Sequence, residues 1–236
     1  MCGRYTLRTP LRRVSELLNL PLPFDLSPRY NIAPTQMAPL ARVAEDGQRE
    51  AVLASWGLIP SWARDPGIAS TLINCRSETA ASKPAFRAAM RQRRCLIPAD
   101  GFYEWQRVGR RKQPYLIEIG AAEPFAYAGL CERWQSPTGP FDTFTILTTS
   151  ANQRLAPLHE RMPVILDPIH FDEWLDHRRA PDRVQYLLAP YPDEAFRLTP
   201  VGTAVNSARH DAPDCVAPLA QEELPEPPLQ QKSLLD

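Results

Sequence analysis

The sequence predicts a single α+β domain built on a largely antiparallel β-sheet, curled or closed into a barrel-like core with short flanking helices. Three observations carry this reading. The 26 prolines among 236 residues suit many short strands joined by rigid loops and disfavour long helices or repeated βαβ units. Segments rich in β-branched and aromatic residues crowd the middle of the chain. No internal repeat or linker divides the pattern, so residues 1–220 read as one domain, and the acidic, proline-rich residues 221–236 read as a disordered tail.

The elements follow in order. Thr9-Pro10 ahead of Leu11, Val14, Leu17 and Leu18 gives a cap, a proline in the first turn and an apolar face, which predicts a helix over 10–19. Pro21 to Pro34 reads as loop. Strand composition marks 37–43 and 50–58, and the proline-broken loop Ile59-Pro60-Ser61-Trp62 leads to a segment at 71–78. A helix is expected over 82–90. Strands are then expected at 95–106, 114–119, 125–134, 144–150 and 162–166, helices at 170–176 and 182–188, and a last strand at 197–201.

Composition narrows the class. No run approaches the length of a membrane span, and the Arg-rich start broken by Pro10 does not read as a signal peptide, so the expected location is the cytoplasm, without a membrane partner. Five cysteines at 2, 75, 95, 131 and 215 show neither disulfide pairing nor zinc spacing, and no metal or other cofactor is expected. The net charge of zero hides an asymmetry: residues 1–112 hold 18 Lys/Arg against 9 Asp/Glu, and residues 113–236 hold 9 against 18. Arg4, Arg8, Arg12 and Arg13 precede the first acid, Glu16, and Lys83, Arg87, Arg91, Arg93 and Arg94 form a second basic run. Such a half can recruit a polyanion; each run taken singly reads equally as a solvated basic face.

Cys2 is the most informative residue. Once Met1 is removed, which the small side chain after it favours, the thiol and the α-amine sit on adjacent carbons and can close a five-membered ring on an aldehyde. Both titrate near enough to neutral pH to be reactive in water; from position alone Cys2 reads equally as a small buried residue left behind by initiation. Three polar residues lie inside apolar segments, where burial demands partners. Glu104, between aromatics in Gly101-Phe102-Tyr103-Glu104-Trp105, suits a general acid raised by desolvation, or else points to water from a strand edge. His159 suits a proton shuttle or a satisfied core histidine, and His159-Glu160-Arg161-Met162-Pro163 lacks the second histidine of a zinc motif. Asn74 can hold a substrate oxygen or the Cys2 amine, or cap a turn. Arg76 and Arg161 suit phosphate clamps.

Taken jointly, the segments Met1-Cys2-Gly3-Arg4, Tyr30-Asn31-Ile32-Ala33-Pro34-Thr35, Trp56-Gly57-Leu58-Ile59-Pro60-Ser61-Trp62, Asn74-Cys75-Arg76-Ser77-Glu78, Arg94 to Trp105 and Leu158 to Pro163 resemble the SOS response-associated peptidase family. The resemblance runs in order from the N-terminus to about residue 218. It implies a single-domain, monomeric protein that binds single-stranded DNA and attaches covalently to abasic sites, with repair or replication proteins as further partners. It also implies autoproteolytic loss of Met1 and reversal of the linkage. Carried over residue by residue, it implies Cys2, Asn74, Glu104 and His159 as catalytic residues, and Arg4, Asn31, Pro34, Trp62, Arg76, Ser77, Thr149 and Arg161 as DNA-binding ones. Cys75 departs from the family pattern, which more often has alanine there.

Two rivals remain at this level. Cys2 could act as the nucleophile of a peptidase on amide substrates, with its own amine or His159 as base. Alternatively, the chain could be a single-strand-binding module whose cysteine is incidental.

Overall fold

The computed structural model of the protein describes residues 2–220. The expected tail at 221–236 lies outside the described residues.

The chain opens with β1 (Tyr5–Leu7) and α1 (Leu11–Leu18), whose buried face is Val14 and Leu18. Next come β2 (Arg29–Ile32), β3 (Met37–Val43), β4 (Arg49–Trp56), β5 (Asn74–Arg76) and the short α2 (Arg87–Gln92). The centre is all strand: β6 (Arg94–Ala99), β7 (Gly101–Val108), β8 (Arg111–Ile119), β9 (Phe125–Ser136) and β10 (Gly139–Ser150). The remainder holds β11 (Arg161–Pro163), β12 (Ile165–Leu166), α3 (Phe171–Leu175) and β13 (Phe196–Pro200), with short 3-10 turns between them.

Strands β10, β4, β3, β6 and β9 close into a ring, because β10 pairs with both β4 and β9. Closure removes sheet edges and encloses the apolar interior, so the barrel-like expectation holds. The ring is antiparallel except where β10 runs parallel to β4 through Thr143↔Ser55 and Phe144↔Trp56. Gly129 marks the tightest approach in the wall. A Cβ there would lie 2.0 Å from Ile97 Cδ1 and 3.0 Å from Cys95 Sγ, so a larger residue would have to displace those side chains where β9 pairs with β6.

A second sheet of five strands in the order β13-β8-β7-β1-β2 packs against the barrel. Its middle strand is β7, with β1 beside it through Tyr5↔Phe102 and Thr6↔Gly101. Along β7, Phe102 joins the main core while Tyr103 joins a smaller cluster with Leu116, Val201 and Cys215.

Several boundaries differ from those the sequence predicts. The expected strand 95–106 is two strands in different sheets, broken at Asp100. That carboxylate accepts bonds from Thr6 Oγ1 at 2.5 Å, Thr9 N at 2.7 Å and Thr9 Oγ1 at 2.9 Å, and also from the Arg8 amide. The chain turns there because satisfying the β1 end takes precedence over continuing the ladder. The expected strand 50–58 stops at Trp56, since Gly57 adopts φ +129° and its Cβ position lies 2.6 Å from Ala69 O. The expected helix at 182–188 is two 3-10 turns, and the one at 82–90 becomes α-helical only from Arg87. Strands β1 and β2 carry no alternation to betray them, β1 being buried at all three positions.

Part of the charge asymmetry is met within the fold. Arg8 pairs with Glu118, Arg13 with Glu123, Arg29 with Asp211, Arg42 with Asp142, Arg49 with Asp172 and Arg93 with Glu132. Each bond joins the basic half to the acidic half. In the second basic run, Arg94 is buried and donates to the carbonyls of Met90, Trp174 and Asp176. The runs are therefore not one polyanion track.

Candidate active site

The second sheet brings its start to the barrel's mouth. Tyr103 N donates to Arg4 O at 3.0 Å, which continues the β1–β7 pairing one step toward the N-terminus and sets Cys2 and Gly3 beside Glu104 and Trp105. From the barrel side, β10 runs parallel to β5 through Ile146↔Asn74, so the barrel wall presents Asn74. The Asn74 Nδ2 amide donates to the Cys2 carbonyl at 2.8 Å. Asn74 thus holds the Cys2 backbone by its carbonyl.

Cys2 is fully buried, and its thiol lies 3.7 Å from Arg4 O. Burial pushes that thiol well above the ordinary cysteine range, and the nearby Glu104 carboxylate raises it further. The expectation of a thiol reactive without help is thereby overturned, since a charge removed from water is costly.

Glu104 is also buried, at 6 % exposure, which excludes the water-facing strand-edge reading. Desolvation raises its carboxyl above the usual range, and the field of His159 draws it partly back. A carboxyl so placed holds its proton at higher pH than a surface glutamate, as a general acid needs. His159 is half-buried, and its Nδ1 accepts from the Arg161 amide at 2.9 Å. A neutral ring then carries its proton on Nε2, which leaves that nitrogen to donate. Cys2, Asn74, Glu104 and His159, far apart in sequence, are thus one cluster.

The eight residues expected on DNA divide by exposure. Trp62 is 60 % exposed and Arg76 is exposed. Pro34 and Arg4 are half-buried, and Arg4 donates to Val205 O at 2.7 Å and Asn31 Oδ1 at 3.1 Å without an ion pair among the described residues. Asn31, Ser77, Thr149 and Arg161 are buried. Asn31 Nδ2 binds Ser207 O at 2.9 Å and His210 O at 2.7 Å. Arg161 is gripped by both Glu78 oxygens, at 2.6 and 2.9 Å, and reaches Thr148 O at 2.5 Å. The structure thus gives Asn31 and Arg161 internal partners, where a phosphate clamp would leave their donors open to a ligand.

Four residues near the site escaped the motif reading. Asp211 accepts from Tyr30 N at 2.6 Å and Asn31 N at 2.9 Å, fixing β2. Glu78 holds Arg161, and Tyr5 and Tyr127 pack as a T-shaped pair 5.8 Å apart beneath Cys2. Glu78 ends a quoted motif and so was open to notice; the tyrosines look like ordinary core residues. Cys75 is buried, with its thiol pushed up to about 12 by burial. His210, Asp214 and Cys215 each bring a ligand atom within 4.8 Å of the others, a grouping that no zinc spacing in the sequence predicts. His210 and Asp214 are bonded to each other at 2.7 Å.

The sequence model described as SOS response associated peptidase (SRAP) matches residues 1–208. The chain belongs to the SRAP family. Among curated SRAP relatives, the abasic site processing protein YoqW of Bacillus subtilis is 40% identical over 223 residues, covering 92% of this chain and 99% of that one. The abasic site processing protein HMCES of Gallus gallus is 35% identical, covering 81% of this chain and 66% of that one. A crystal structure of a Bacteroides thetaiotaomicron protein superposes with a TM-score of 0.83 at 25% identity, over 93% of this chain and all of that one. One from Bordetella bronchiseptica gives 0.75 at 26% identity, over 85% of this chain and all of that one. Among the described residues of this SRAP chain, no helix is long and apolar enough to cross a membrane.

Proposed function

We propose that this chain binds single-stranded DNA and processes abasic sites by joining Cys2, freed of Met1, to the sugar aldehyde. The observation that carries the reading is the convergence on Cys2: its carbonyl is held by Asn74, and a buried carboxyl with raised affinity for protons stands beside its thiol. The names of the YoqW and HMCES relatives agree with it.

The chemistry balances without a redox partner or cofactor. Removal of Met1 turns the peptide nitrogen of Cys2 into an amine, which attacks the aldehyde carbon of the open sugar. Glu104 donates its proton to the departing hydroxyl, water leaves, and an iminium remains. The thiol then gives its proton to the Glu104 carboxylate, and sulfur attacks the same carbon while the C=N electron pair returns to nitrogen. The product is a thiazolidine, and one water is lost overall. Ring closure removes the iminium that would otherwise promote strand cleavage. His159 moves protons at the sugar oxygen, and its action in both directions makes the linkage reversible. Asn74 holds the Cys2 backbone so that amine and thiol face one carbon.

Strand binding rests on the exposed Trp62 and Arg76 and on the half-buried Arg4 and Pro34, with a base stacked on the indole and phosphates on the guanidinium groups. Asn31, Ser77, Thr149 and Arg161 shape the wall behind them. The peptidase reading is the weaker one, because a cysteine peptidase keeps its thiol low beside an imidazolium, whereas burial raises this one.

Incubating the protein with an abasic single-stranded oligonucleotide tests the reading. A species that survives denaturing electrophoresis is expected, absent with Cys2→Ala and with intact-base DNA. Wild-type protein of verified Met1-free mass that yields no such species sinks the proposal.

A further inference from the structure

A buried thiol that must lose its proton needs something to receive the charge left on sulfur. Asn74 is occupied with the Cys2 carbonyl, and the carbonyl of Arg4 can only accept. Glu104 is negative until it takes the proton, and until then its field opposes charge on the sulfur.

The barrel supplies one more group at this point. Tyr127 lies on β9, in register with Ile97 of β6 and Ile165 of β12, and is fully buried. Its ring is fixed by edge contacts with Phe125 at 5.2 Å, Tyr5 at 5.8 Å and Phe102 at 6.4 Å. Its hydroxyl sits within interaction range of the Cys2 thiol yet makes no hydrogen bond of ordinary geometry to any described residue. A buried hydroxyl without a bond costs about 1–3 kcal/mol, so its retention here asks for an occasion on which it is used.

We propose that Tyr127 is a positioning residue for the Cys2 sulfur, its hydroxyl turning to donate a hydrogen bond to the thiolate as the proton leaves. The hydroxyl keeps its proton throughout; only its direction changes. Sulfur thereby gains a donor in a buried pocket, which favours the charged form that attacks the iminium. The groups facing this pair are Glu104 from β7, Tyr5 from β1, Asn74 from β5 and Asp100 at the β6–β7 break, which bears on Tyr127 itself. Among them, the Tyr5 hydroxyl is likewise buried and unbonded, but Tyr127 is the one that meets sulfur.

The role rests on the thiazolidine reading for its use but is testable without DNA. Met1-free wild type and Tyr127→Phe are alkylated with iodoacetamide from pH 6.5 to 8.5. The variant is expected to react about 10-fold more slowly, one hydrogen bond to a charged group being worth about 1.5 kcal/mol or more. Fluorotyrosine placed at 127, whose hydroxyl is a stronger donor, is expected to react faster than wild type. With abasic DNA, borohydride trapping of the amine adduct is expected to be unchanged in Tyr127→Phe while ring closure slows.

Equal alkylation rates for wild type, Tyr127→Phe and the fluorotyrosine protein overturn the inference. So does an equal slowing of the amine and thiol steps in Tyr127→Phe, which marks a disturbed fold. Should Tyr127→Phe fail to fold, the fluorotyrosine series alone decides, since a filler role does not respond to hydroxyl acidity. A wild type that forms no DNA adduct ends the abasic-site reading and leaves the alkylation result to stand by itself.

Discussion

Asn74 Nδ2 donates to the carbonyl oxygen of Cys2 at 2.8 Å, and β5 holds Asn74 in parallel register with Ile146 of the barrel. The N-terminal segment is thus tied to the wall of a closed sheet. Asn74→Ala removes about 1 kcal/mol of net bonding. Crosslinking to abasic DNA is expected to slow about 5- to 10-fold with little change in DNA affinity, as read from single-turnover gels beside a binding titration.

Glu104→Gln keeps the shape but cannot give or take the proton. The crosslinking rate should fall about 10²-fold. The same variant has a stability signature whose sign is fixed. Because Glu104 is raised in the folded state, folding takes up a proton between the unfolded and folded values. The wild type therefore loses stability as pH rises through that window, and Glu104→Gln removes the loss. Urea titrations of both proteins at pH 5 and pH 8 decide it.

Glu78 grips Arg161 with two bonds, and Arg161 is 8 % exposed. Glu78→Ala leaves that guanidinium without its carboxylate and is expected to cost about 1–3 kcal/mol, toward the low end because Glu78 itself is half exposed. Its carboxyl is held below the ordinary range by the Arg161 bond. This contribution is full above the unfolded carboxylate value and disappears as pH falls through the lower folded value. Thermal melts of the two proteins should converge in acid.

Trp62 and Arg76 offer different contacts. Trp62→Ala should weaken single-strand binding by about 1–3 kcal/mol with the salt dependence kept. Arg76→Ala should weaken it less and reduce the slope of log affinity against log salt by about one phosphate's worth. Fluorescence titrations at several salt concentrations separate the two, and unfolding midpoints should stay unchanged for both.

Gly57 carries φ +129° with backbone 2.6 Å from where a Cβ would stand. Gly57→Ala should cost about 1–3 kcal/mol or more, visible as a lowered midpoint in chemical unfolding.

The proposed catalytic cluster was legible because Cys2 stands at the start of the chain and the other three break a local rule: Glu104 among aromatics, His159 and Asn74 at the ends of apolar runs. The barrel was legible from its prolines and short strands. What could not be read was how charge is spent. Arg13 and Glu123 are 110 positions apart, and only folding reveals that one neutralises the other. Asn31 and Arg161 sit in the same motifs as exposed residues, and sequence order does not tell a side chain that faces a ligand from one that holds up the wall. Nor does it reveal Asp100 as the turning point between sheets, since the donors it satisfies lie over 90 positions away.

Strand β1 lies between β2 and β7, so during synthesis Tyr5–Leu7 cannot complete its pairing until Gly101–Val108 has followed. At about 5–20 residues per second, that leaves Tyr5–Leu7 with β2 as its one possible strand partner for about 5 to 20 s. A methionine aminopeptidase has that interval to work in. In the folded chain Cys2 is buried. On the proposed reading, in which Cys2 reacts once freed of Met1, the timing of synthesis, set by strand order, decides what fraction of newly made molecules is armed.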